Sequence, residues 1–236
     1  MSRSGIRKPG KDDPSRAKRV ADYGYKKEFY QSEKVADDYD FHRWGSPERA
    51  KRNLSKWKMI LAALSQTEGV GSILDLPCGT GRFTDRLVEC GYEVIGGDIS
   101  FEMMQQARSR IGPMRGLLGF IRTDAEHLPF SNSSVDCVMS IRFLFHVDPV
   151  TRVRMLREMG RISKRWLILD YRHKYSYRYF MYRIRKLLGL AKNPLVRVSR
   201  AQLEQEARDA GLKVKAVFPV ARVFSDKWVV LCETTS

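Results

Sequence analysis

Residues 73–87, Ile-Leu-Asp-Leu-Pro-Cys-Gly-Thr-Gly-Arg-Phe-Thr-Asp-Arg-Leu, constrain the fold of this chain more than any other stretch. An apolar run ends in Asp75, and a Gly-x-Gly loop (Gly79, Gly81) opens into the helical pattern of Phe83, Leu87 and Val88. Strand, tight turn and helix N-terminus in that order hold a nucleotide-like ligand at the carboxyl edge of a parallel sheet. A second apolar run over 92–97 ends in Asp98, nineteen residues after Gly79. An acid at that distance sits at the tip of the next strand, where it accepts hydrogen bonds from both hydroxyls of a ribose. A lone Gly-x-Gly is a weak signal; the loop with its spaced acid is a strong one. A dinucleotide site also wants a third glycine for close packing around a pyrophosphate, and here that position is Thr84. The carboxylate of Asp75 likewise suits an ammonium group better than a phosphate.

The rest of the chain extends this unit. Ser46-Pro47 is an N-cap followed by proline at the first helical position, opening a helix to about residue 65 with Leu54, Trp57, Ile60, Leu61 and Leu64 on one face. Strands are expected at about 72–76, 93–98, 117–123, 135–141 and 166–171, alternating with helices at 82–90, 101–110 and 149–163. Ser199 and Gln202 form a capping box for a helix closed by Gly211, and two final strands, about 213–219 and 226–232, form a hairpin-like pair at the sheet edge. The alternation predicts an α/β fold with a doubly wound, mostly parallel sheet of seven strands. Residues 46–236 make up this domain, residues 1–45 are a basic N-terminal extension, and 172–198 are an insertion.

At this point the sequence resembles the class I S-adenosylmethionine (SAM) dependent methyltransferases, over roughly residues 60–232. The resemblance implies SAM as cofactor, with Asp75, Pro77, Gly79, Thr80 and Gly81 around its methionine end and Asp98 on the ribose. It also implies that Ile99 and Met103 flank adenine, and that Asp124, followed by Ala125, receives the adenine amine. Pro77 departs from the family pattern. It stands where many members carry a first glycine, and its fixed φ makes the start of the loop rigid.

Methyl transfer from a sulfonium is an in-line displacement, so alignment is most of the task, and a general base is needed only for an undissociated acceptor. The stretch Ser140-Ile-Arg-Phe-Leu-Phe-His146 follows the fourth strand and faces the cleft. His146 is its candidate base, or else a histidine that orients the loop through a backbone hydrogen bond. Arg142 is a candidate contact for an anionic substrate, or a surface ion-pair residue. At the end of the fifth strand Asp170 or Tyr171 is placed to meet the acceptor. No metal-ligand spacing is present. The four cysteines, Cys78, Cys90, Cys137 and Cys232, read as reduced thiols, the last three buried in apolar surroundings, as in a cytoplasmic protein.

Charge bears on the partner. The net charge is +16, which draws the chain toward a polyanion: nucleic acid, anionic lipid or an acidic substrate. Residues 1–59 carry sixteen Lys/Arg against nine Asp/Glu, and residues 171–203 carry nine Lys/Arg and no acid. Residues 1–20 read as a disordered basic tail, and the aromatics of 21–45 as a segment that folds over something; the resemblance implies a lid on the substrate cleft. Within the insertion, Tyr177, Phe180, Met181, Ile184, Leu187 and Leu188 recur at helical spacing, with Arg178, Arg185 and Lys186 largely off that face. Such a helix reads as a membrane-surface element at the inner face of a membrane, as a lid over the cleft, or as an RNA-docking element. The absence of an Asn/Asp-Pro-Pro-aromatic loop, of a Pro-Cys nucleophile after the fourth strand, and of a Lys-Asp-Lys-Glu set makes nucleic acid the less favoured acceptor. The leading expectation is therefore O- or C-methylation of a small-molecule or lipid-linked acceptor. An RNA methyltransferase and a non-catalytic SAM-binding regulatory subunit are the alternatives.

Overall fold

The computed structural model describes residues 47–190, 196–220 and 225–235. The N-terminal extension, the proposed lid over 21–45 and the Ser46 cap lie outside them. The elements run α1 (Pro47–Leu64), β1 (Ser72–Asp75), α2 (Thr84–Glu89), β2 (Glu93–Asp98), α3 (Phe101–Ile111), β3 (Leu117–Arg122), β4 (Val135–Ser140), a 3₁₀ turn (Leu144–His146), α4 (Pro149–Ile162), β5 (Ser163–Arg172), α5 (Tyr177–Leu187), α6 (Arg200–Asp209), β6 (Leu212–Pro219) and β7 (Lys227–Thr234). The sheet order is β3-β2-β1-β4-β5-β7-β6. Strands β1 to β5 are mutually parallel, and β7 runs antiparallel to both β5 and β6. The expected terminal pair is therefore present, but its second strand enters the sheet and its first is left at the edge.

Parallel strands covered on both faces read as near-continuous apolar runs, and Ile73, Leu74, Val138, Met139, Leu167, Ile168 and Leu169 are all buried. One face packs against α1 and α2 through Trp57, Ile60, Leu87, Met139 and Ile168. The other packs against α4 and α6 through Leu144, Met155, Leu156, Met159 and Leu203. The α1 stripe is narrower than its sequence suggests: Leu54 and Leu61 are exposed, while Trp57, Ile60 and Leu64 are buried. Cys90 is exposed as well, because α2 ends there and turns its C-cap to solvent; Cys78, Cys137 and Cys232 are buried, and all four are free thiols.

The α4/α6 face also contains a buried ion pair with no strong sequence signal. Arg152, on α4, is 1% exposed. It pairs with Glu206 of α6, its Nε donating to Oε2 at 2.8 Å. Its Nη1 donates to the carbonyls of Leu144 (3.2 Å) and Val147 (3.1 Å), at either end of the 3₁₀ turn that carries His146. One guanidinium thus fixes both a helix pair and the loop after β4.

Removing one partner of a buried pair leaves an uncompensated charge and costs about 3–5 kcal/mol. Urea denaturation of Arg152→Ala should show a loss of that size. Arg152→Met combined with Glu206→Leu should recover most of it. A loss below about 1 kcal/mol in the single variant would contradict this role, since that is the scale of a solvated surface pair.

Candidate functional site

The loop after β1 is held by carboxylates. Asp75, at the tip of β1, is buried and its Oδ2 accepts a 2.8 Å hydrogen bond from the Thr84 hydroxyl. Thr84, which replaces the third glycine, thereby ties strand to helix. Asp98, at the tip of β2, accepts from the Gly79 N–H at Oδ2 (2.8 Å) and from the Ser100 N–H at Oδ1 (2.9 Å). A carboxylate has about four lone-pair directions, so Asp98 keeps capacity for a further donor. Gly79 and Gly81 have φ of 55° and 74°, a region costly for other residues. At Gly81 a Cβ would lie 2.9 Å from the Ala107 Cβ and 2.8 Å from the Ile111 Cδ1, so the loop can approach α3 only as glycine. Pro77 follows Leu76 through a cis bond and is half-buried, as is Gly79; Thr80 is buried.

The neighbouring strand ends complete the cleft. The Thr123 N–H donates to the Asp98 carbonyl at 2.9 Å, setting Asp124 beside β2. Asp124 is half-buried, and its Oδ1 accepts from the Glu126 N–H at 3.1 Å. Ile99 is half-buried, Met103 is buried in the first turn of α3, and Ala125 packs into the core with Leu74 and Leu76. The structure thus brings Asp75, Asp98 and Asp124 to the carboxyl ends of three adjacent strands.

Burial pushes the carboxyl of Asp75 up to about 7, against the opposing Thr84 bond. It pushes Asp98 up to about 6, against the bonds from Ser100, Gly79 and Ile99. Both values exceed the ordinary carboxylate range of about 4. Between about 4 and these values the folded state binds more protons than the unfolded one, so these two groups cost stability as pH rises through 6–7. A ligand that brings hydroxyl donors to Asp98 and positive charge to Asp75 offsets that cost. SAM carries both, so Asp98 would take its ribose, and the Gly79–Gly81 turn with Asp75 its methionine end.

On the acceptor side, β4 ends in Ser140 and turns through Arg142, which has φ 68°. A non-glycine residue there carries strain of the kind stored at functional sites. The Arg142 N–H donates to the Asp170 Oδ2 at 3.1 Å, and the same oxygen meets Lys56 of α1 in a buried ion pair. Burial lowers the pKa of Lys56, against the attraction of Asp170. His146 is half-buried, its ring 4.4 Å from that of Phe145, and Phe145 underlies the guanidinium of Arg172 at 4.6 Å. Tyr171 departs from expectation. It is 1% exposed and its hydroxyl turns to Glu206 (3.3 Å) in the α4/α6 core, because successive residues of a strand point to opposite faces. Asp170 takes the α1 side instead.

Lys56 was legible only as a lysine in helical phase with Ile60 and Ala63. Arg197, Asp226 and Lys227 gave no local signal, since they meet Arg172 only once the sheet has formed.

Sheet order, the Asp-x-x-x-Gly-x-Gly turn and the acid after β2 together define a class I SAM-dependent methyltransferase fold and cofactor site. Residues 73–165 match the family model described as a methyltransferase domain. It is 36% identical over 104 residues to an uncharacterized methyltransferase of Mycobacterium tuberculosis, covering 42% of this chain and 41% of the relative. It is 32% identical over 125 residues to the ubiquinone/menaquinone biosynthesis C-methyltransferase of Pseudomonas paraeruginosa, covering 49% of this chain and 47% of that one. The chain therefore spans under half the length of these relatives. In fold it matches the magnesium protoporphyrin IX methyltransferase of Synechocystis solved with bound SAH, with a TM-score of 0.66 and 17% identity over 88% of this chain and 99% of that one.

Asp98→Ala removes charge-assisted bonds of about 1.5–3 kcal/mol each, so calorimetric titration should show SAM binding at least ~tenfold weaker. In the unmodified protein SAM affinity should rise between pH 5 and 7.5 as Asp98 ionises, with a flatter profile in the variant. Equal affinities at pH 7.5 would remove Asp98 from the site.

Proposed function

We propose that this protein transfers a methyl group from SAM to a small-molecule or lipid-linked acceptor at the surface of an anionic membrane, as a cytoplasmic protein peripheral to the inner face. SAM supplies the electrophilic methyl group when bound. The chain supplies alignment: Asp98 and the Gly79–Gly81 turn hold one partner, and the loop after β4, pinned by Asp170 and Arg152, presents His146 to the other. For a hydroxyl acceptor, His146 takes the proton as the new bond forms.

The observation that carries the membrane reading is α5. Ser176 caps it by accepting from the Tyr179 N–H at 3.2 Å, and most of its apolar residues are exposed. Phe180 is 61% and Leu187 83% exposed, with Tyr177 and Leu188 also in solvent. Arg183, Arg185 and Lys186 stand among them. Apolar side chains flanked by cations on one short helix match the boundary between headgroups and acyl chains. A relative named for quinone biosynthesis supports a small organic acceptor over RNA.

Two measurements test this. Each cation near an anionic bilayer contributes ~1 kcal/mol, screened by salt, while apolar insertion is insensitive to salt. Flotation with phosphatidylserine vesicles should weaken with salt without vanishing, and Phe180→Glu with Leu187→Glu, both on exposed positions, should abolish what remains. Binding that salt removes entirely and that RNA competes away would overturn the membrane reading. With acceptor in hand, His146→Asn should reduce turnover ~10²-fold at unchanged SAM affinity. Parallel losses of SAM affinity and thermal stability would make His146 a structural residue.

A further inference from the structure

The carboxyl edge of the sheet, beyond the cofactor cradle, holds more cation than anion. Lys227 opens β7, which runs antiparallel to β5, so it stands directly opposite Arg172 at the end of β5. Like charges opposite each other on paired strands destabilise a sheet, and this pair lies on the same edge as Asp75 and Asp98. Arg172 donates from Nη1 to both oxygens of Asp226, at 3.2 and 2.9 Å. Arg197 donates from Nε to Asp226 Oδ2 at 3.1 Å. One carboxylate thus serves two guanidiniums, and among the described residues each keeps a buried N–H without a partner: Nε of Arg172 and Nη1 of Arg197. The Arg197 side chain is 9% exposed, and its guanidinium lies 5.5 and 4.9 Å from the ring centroids of Tyr179 and Tyr182 on α5. Lys227 makes no ion pair among the described residues. Burial, then the charge of Lys56, brings it down to about 8 in spite of Asp170. Among the described residues, the carboxylates that meet Lys56, Arg172, Arg197 and Lys227 are thus Asp170 and Asp226.

We propose that Lys227, Arg172 and Arg197 form a binding site for an anionic group, a carboxylate or a phosphate, on the methyl acceptor. The assignment rests on the methyl-transfer reading above. The chemistry is that of the residues themselves. A guanidinium's planar fork of donors matches both anions, unpartnered buried N–H groups require acceptors, and an anion relieves the repulsion between Lys227 and Arg172. The site adjoins the loop after β4 through Arg172 on Phe145, and α5 through Arg197 on its tyrosines. An amphiphile lying along α5 would therefore present its anionic group here.

Inorganic phosphate is the probe, titrated calorimetrically into the whole protein against chloride at matched ionic strength. The unmodified protein should bind it and gain melting temperature beyond the chloride control. Lys227→Met, at a half-exposed position, should weaken phosphate binding at least tenfold, yet melt at a higher temperature than the unmodified protein when phosphate is absent. A lysine in a structural ion pair would give the opposite shift. Acetate titrated in parallel distinguishes the two anions by which of them loses affinity in the variant. SAM affinity should be the same with saturating phosphate and in the variant. Competition between phosphate and SAM would assign the site to the carboxylate of SAM and overturn the proposal. Equal phosphate affinity in both proteins, or none in either, would also overturn it. Absence of SAM binding would instead sink the methyl-transfer reading itself, whatever phosphate does.

Discussion

A carboxylate taken out of water must be met by donors, and the functional edge of this protein is organised around three that are. Asp75, Asp98 and Asp170 are all buried at the carboxyl ends of parallel strands. Each draws a connecting segment onto the sheet: Thr84 at the start of α2, the Gly79 and Ser100 amides, and the Arg142 amide with Lys56. The loops that would otherwise be the most variable parts of an α/β fold are thereby given fixed positions. The cofactor cradle and the loop after β4 are both by-products of satisfying buried anions.

The division of labour across the sheet follows. Asp75 and Asp98 keep raised pKa values and bonding capacity to spare, as suits groups that meet a ligand carrying donors and positive charge. Asp170 holds structure through one oxygen, Oδ2, which meets an ammonium and a backbone amide. Arg152 does for the 3₁₀ turn on one face what Asp170 does for Arg142 on the other. The segment between them, from Ile141 to Val147, is held from both sides of the sheet, although part of it has no regular structure and Arg142 is in a left-handed conformation. A strained loop persists only when its surroundings determine it this strongly.

The cofactor half of the site was legible because it is local: Asp75, Gly79, Gly81 and Asp98 lie within 24 residues, on a strand-turn-helix-strand unit whose spacing is its own signature. The acceptor half was not, because it is assembled across the chain. Lys56 reaches Asp170 from 114 residues away, and Asp226 gathers Arg172 from the end of β5 and Arg197 from the connection before α6. Tyr171 was misplaced for a simpler reason. Alternation along a strand fixes which of two neighbours faces which side, but not which side carries the acceptor. Nothing in the sequence sets Arg152 apart from the other arginines of α4; the position of Glu206 on α6 does.

The order of strands has a consequence for how such a chain comes off the ribosome. Strand β6 touches the sheet only through β7, and β7 is the later of the two in the chain. Until β7 emerges, β6 has no edge to join, and β5 presents an unpaired row of amides and carbonyls beside an apolar core. Exposed edges of this kind invite pairing with other chains, so the final strand acts as a molecular zip: its arrival seals the growing edge and captures its predecessor in one step.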